Sequence, residues 1–67
     1  MQSGYAMRRR AAVLHKYYIV FTDNYRMLIA DVYIDSKSTP GIVRFIADNG
    51  HTKLIVSIHS IKYIREE

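Results

Sequence analysis

Residues 52–65 read T-K-L-I-V-S-I-H-S-I-K-Y-I-R, and this stretch decides the fold. Thr52, Leu54 and Val56 alternate with Lys53, Ile55 and Ser57, as a strand requires. From Ile58 onward the apolar residues fall three apart, at Ile58, Ile61 and Ile64. That interval fits neither an alternating strand nor a long helix of about 3.6 residues per turn. It fits a strand that breaks into one tight turn and resumes as a short last strand.

Working back from that end, other strands appear. Asp48-Asn49-Gly50 is the strongest turn signal, and Asn-Gly predicts a type I′ hairpin. Before it, residues 42–47 (IVRFIA) form the partner strand. Asp35 to Gly41 is a loop by composition and holds the single proline, Pro40. Residues 26–34 (RMLIADVYI) and 15–22 (HKYYIVFT) are rich in β-branched and aromatic residues and flank a turn at Asp23-Asn24. On simple alternation, Leu28, Ala30, Val32 and Ile34 share one row, and Met27, Ile29, Asp31 and Tyr33 the other. Tyr17, Ile19 and Phe21 share one face of the first strand; Tyr18 and Val20 share the opposite one.

The expected fold is mainly all-β: a small antiparallel meander of four to five strands that curls into an SH3-like barrel. Its rival is an open four-stranded sheet with the N-terminal helix packed across one face. Residues 1–14 form a basic arm or short helix, and residues 15–67 form the single β-domain. Both faces of the first strand are apolar or aromatic, so either the N-terminal segment or a second copy is expected to cover the outer one. A homodimer or higher oligomer follows from that expectation.

The chain has 67 residues, 49% of them apolar, with six tyrosines and no cysteine. A domain this small is marginally stable without staples. The lack of cysteine excludes disulfides and thiolate metal sites and agrees with a reducing, cytoplasmic setting. Small cysteine-free chains of this kind are frequent in bacteria and their phages, which makes a bacterial or viral source the expectation. No run approaches the roughly 20 apolar residues of a membrane span.

The case for an enzyme is poor. Glycines stand at 4, 41 and 50, too scattered for a phosphate loop. His59 lies between Ser57 and Ser60 without an orienting carboxylate nearby. Asp31 and Asp35 are spaced four apart, more in keeping with a solvated face than with acid–base work. His15, His51 and His59 have no metal-ligand spacing. The expectation is no catalysis, no metal, no cofactor and no small-molecule substrate.

Charge is more informative. The net formal charge is +4, and no acid precedes Asp23. Arg8, Arg9 and Arg10 therefore have no sequence-near partner, and could neutralise about two or three phosphates. Guanidinium groups grip phosphate bidentately, and aromatic rings among cations suit single-stranded nucleic acid. A nucleic-acid face of Arg8, Arg9, Arg10, Lys16, Tyr17, Tyr18, Arg44 and Lys53 follows. Arg44 and Lys53 are expected to face each other across the Asn49-Gly50 hairpin, with Lys62 and Arg65 adding charge. The alternative is a protein-binding adaptor or inhibitor that uses Tyr18, Met27, Ile29 and Tyr33 as anchors on the outer face of the first two strands.

Overall fold

The computed structural model describes residues 13–67. Five strands follow in chain order: β1 (His15–Phe21), β2 (Arg26–Asp35), β3 (Ile42–Ala47), β4 (Thr52–Ser57) and β5 (Ile61–Glu66). A single turn of 3-10 helix, Ile58–Ser60, separates β4 from β5, where the apolar interval of three places it. The fold is mainly β, as expected. The segment expected as a basic arm or helix, with Arg8, Arg9 and Arg10, lies outside the described residues apart from Val13 and Leu14, which take no regular structure.

All strands join one antiparallel sheet in the order β4-β3-β2-β1-β5. The edges of that order are β4 and β5, and no ladder joins them among the described residues. The sheet is therefore open, where the sequence predicts a barrel. The 3-10 turn spans the gap at one end. The N–H of Thr22 donates to the Ser60 carbonyl, and that of Ile58 to the Gly41 carbonyl, each at 2.9 Å.

Both tight hairpins use the same device. Phe21 donates to the Tyr25 carbonyl and accepts from the N–H of Asn24; Ala47 does the same with His51 and Gly50. Each loop has three residues, and the last takes a left-handed conformation: Asn24 at φ 70°, Gly50 at φ 88°. This is a type I turn closed by a bulge, not the expected type I′ turn, which needs positive φ at two adjacent residues. The reason is local. Asn49 Oδ1 accepts from the N–H of His51 at 3.0 Å, as Asp23 Oδ1 accepts from that of Tyr25 at 2.9 Å, and both side chains hold the longer loop.

Further irregularities curl the sheet. Two residues of β2, Ala30 and Asp31, oppose Lys16 alone, between the pairs His15–Val32 and Tyr17–Ile29. Lys62 is the extra residue between Val20–Tyr63 and Phe21–Ile61, and Lys53 between Phe45–Leu54 and Ile46–Thr52. Bulges bend a strand and increase its twist. The inner face then closes on Ile19, Val32, Val43 and Phe45, with Tyr17, Phe21, Ile29, Ile34, Leu54, Val56, Ile61 and Ile64 packed around them.

The β2 bulge corrects the two-row reading of that strand. Inserting a residue at Asp31 (φ 60°) switches alternation, so Met27 and Ile29 share the face of Val32 and Ile34. Leu28, expected inside, is 55% exposed.

Candidate interaction surface

The outer face of β2, β1 and β5 brings together two rows of side chains. Residues directly opposite across a ladder point to the same side of a sheet. Tyr18 lies opposite both Leu28 and Arg65; Val20 lies opposite both Arg26 and Tyr63. The result is a patch of two arginines, two tyrosines and two aliphatic residues. Val20 at its centre is 2% exposed, while Tyr63 is 46% exposed.

The polar groups of the patch are organised around Tyr18. Arg65 holds its guanidinium carbon 4.7 Å from the Tyr18 ring centroid, a cation–π contact. Arg26 Nη1 donates to the Tyr18 hydroxyl at 3.3 Å. Arg65 also donates to Glu67 Oε2, its Nη2 at 3.0 Å, a pair exposed enough to be worth at most about 1 kcal/mol. Among the described residues, Arg26, Lys16 and Lys62 have no carboxylate within salt-bridge distance. Lys62 instead donates to Asn24 Oδ1 at 3.0 Å.

Beside the 3-10 turn lies a second feature, a groove of about 460 Å³. It is lined by Phe21, Thr22, Asp23 and Tyr25 at the first hairpin, Ile55, Val56 and Ser57 at the end of β4, and Ser60 of the 3-10 turn. Tyr25 is 61% exposed, with its ring 5.9 Å from that of Phe21.

The expected site residues are partly brought together and partly dispersed. Lys16 is exposed on β1, and Tyr18 is central to the outer patch. Tyr17 turns inward, its ring edge-on to Phe45 at 6.0 Å. Burial and then the Glu66 charge raise its pKa above the usual tyrosine value. Arg44 and Lys53 do not face each other. Arg44 pairs with Asp35 and Ile55, whereas Lys53 occupies a bulge and donates from Nζ to the Ala30 carbonyl at 3.2 Å. Of the expected protein anchors, Met27 and Ile29 lie on the inner face, and Tyr33 lies opposite Ile46, farther along β2 than Leu28 and beyond the bulge at Asp31. Arg26, Tyr63 and Tyr25 were not singled out by sequence reasoning. The period-two spacing of Tyr63 and Arg65 held the signal, but their meeting with Tyr18 depends on a ladder formed across the whole chain.

The other polar groups have structural roles. Asp35 Oδ1 accepts from the N–H groups of Lys37 and Ser38. Hydrogen bonding from the Ser38 side chain, then from these backbone groups, lowers the Asp35 pKa, and Arg44 adds to the effect. His15 Nδ1 lies 2.6 Å from Glu66 Oε2, tying β1 to β5. Ser57 Oγ accepts from the N–H of His59 and caps the 3-10 turn. Among the described residues, no three His, Cys, Asp or Glu side chains converge as a metal site would require. None of their helices is long and apolar enough to cross a membrane.

Comparison with known proteins finds no matching family model, no similar curated sequence and no similar solved structure.

Proposed function

We propose that this protein is a small non-catalytic binding module that contacts nucleic-acid phosphates through the outer face of β2, β1 and β5. One observation carries the reading: Arg26 and Arg65 converge on Tyr18, with Tyr63 exposed alongside. Guanidinium groups supply phosphate contacts, and an exposed ring supplies a stacking surface. Lys16 extends the positive edge, and the arginine triplet at 8–10 adds sequence-near charge. The reading implies little sequence preference from the backbone contacts themselves. It also assigns the fold to the SH3-like class with its seam left open, on the support of the β4-β3-β2-β1-β5 order and the 3-10 turn before β5. Such folds host many activities, so the function rests on the patch. The cytoplasm is the proposed location, and a homo-oligomer the proposed assembly, since among the described residues β4 and β5 both leave an unpaired edge.

Fluorescence anisotropy with labelled oligonucleotides tests the reading. Affinity should fall steeply with salt. Arg26→Ala/Arg65→Ala should weaken binding and make the slope of log K against log salt shallower, by about 0.7 per lost phosphate contact on a single strand. Binding that is absent at low salt, or that ignores both substitutions, rejects it. The exposed Leu28 on the same face favours a second reading, a protein partner docked there. Stoichiometric capture of one protein partner that Leu28→Asp abolishes, without nucleic acid, would select that reading.

A further inference from the structure

One hydrogen bond connects the first hairpin, which lines the groove, with β5, which carries part of the outer patch. Lys62 precedes Tyr63 in β5, Asn24 precedes Tyr25 in the first hairpin, and the Lys62 ammonium bonds Asn24 Oδ1 at 3.0 Å. An ammonium without a carboxylate partner among the described residues thus links an exposed ring on the outer face to another on the groove wall. We infer that the groove is a base-binding subsite for single-stranded nucleic acid, with Lys62 holding a phosphate at the crossing point. The inference rests on the nucleic-acid reading above and narrows it.

Size, shape and chemistry support this occupant. A space of about 460 Å³ falls within the small-ligand range and is ample for a nucleobase. Tyr25 offers an exposed ring for stacking, braced by Phe21. Asp23 commits Oδ1 to the N–H of Tyr25, which leaves Oδ2 to accept a hydrogen bond. A carboxylate in that place accepts from the exocyclic amine of a base, as acidic side chains do from cytosine N4. Thymine and uracil have no such amine. The negative charge also disfavours a phosphate inside the groove, so the base enters and the backbone stays at Lys62. A duplex keeps its bases stacked and paired, and cannot deliver one without unpairing it.

Anisotropy at pH 8 with labelled oligo-dC, oligo-dT and a duplex of equal length tests this. Oligo-dC should bind several-fold more tightly than oligo-dT, and Asp23→Asn, which keeps the Oδ1 acceptor for Tyr25, should erase the difference. Tyr25→Ala should weaken single-strand binding by about tenfold and leave duplex binding unchanged, in keeping with the loss of one stacked base. Circular dichroism of each variant checks that it remains folded. Equal affinities for oligo-dC and oligo-dT that ignore Tyr25→Ala, while Arg26→Ala/Arg65→Ala still weakens binding, overturn the subsite and leave the outer-face reading standing. Equal weakening of single strand and duplex by Tyr25→Ala also overturns it. Failure of all three probes to bind overturns both.

Discussion

Ile19 and Val20 are neighbours on β1 and are almost equally buried, yet they belong to different kinds of environment. Ile19 sits in an all-apolar inner face with Val32, Val43 and Phe45. Val20 sits between Arg26 and Tyr63, on a face whose groups also bond to or stack on Tyr18. The inner face excludes water by close packing. The outer face buries one small aliphatic residue among long amphipathic side chains, whose charged ends remain in solvent. Apolar burial alone therefore does not mark the core of this protein. The two faces should separate cleanly in experiment, one controlling stability and the other controlling binding.

The largest expected effect breaks the inner face. Phe45 is 0% exposed, and Phe45→Ala should cost about 3–5 kcal/mol, comparable to the whole stability of a domain this small. Urea denaturation should find the variant largely unfolded without denaturant. A well-folded variant would show that Phe45 is not central. By contrast, Arg26→Ala/Arg65→Ala should move the urea midpoint by no more than about 1 kcal/mol equivalent, because exposed polar contacts contribute little.

Next comes the bulge that allots β2 side chains to the two faces. Asp31 holds φ 60° without a glycine. Asp31→Gly should relieve that strain and stabilise the fold by about 0.5–1 kcal/mol, since left-handed backbone costs an L-residue about 1–2 kcal/mol and glycine offsets part of the gain by its freedom when unfolded. A destabilised variant in thermal melts would contradict the assignment.

The smallest effect distinguishes Tyr17, inside, by its pH dependence. Its pKa is raised by burial and by Glu66, so the folded protein holds the phenol proton more tightly than the unfolded chain does. That contribution is complete below the unfolded value of about 10 and is lost as pH rises through the folded pKa. Tyr17→Phe should flatten the alkaline limb of the stability profile. An unchanged limb would place the titration elsewhere. Asp35 shows the opposite sign. Its lowered pKa gives stability above the unfolded carboxylate value that is lost as pH falls through the folded one. Asp35→Asn should remove that part of the acid limb.

Much of this fold was legible in local sequence. The aromatic and β-branched runs, the turn residues and the apolar interval after Ser57 place all five strands to within a residue or so. Bulges were not legible, because a single charged residue within a strand, as Asp31, Lys53 and Lys62 are, is also what ordinary alternation places on a solvent-facing position. Missing them put Ile29 outside and Leu28 inside. Closure was not legible either, since it depends on whether β4 reaches β5 in space. At the candidate surface, Tyr18 and Lys16 are the residues that the sequence already groups with the basic arm. Arg26, Tyr63 and Arg65 join them only through the β1–β2 and β1–β5 ladders, whose partners are far apart in the chain for β5.

The separation of the two faces is tested most directly by an NMR titration of the ¹⁵N-labelled protein with a single-stranded oligonucleotide at low salt. The account predicts amide shifts at Tyr18, Arg26, Leu28, Tyr63 and Arg65, with Val43, Phe45 and the rest of β3 unmoved. No shifts at any oligonucleotide concentration, or shifts confined to β3 and β4, would contradict it.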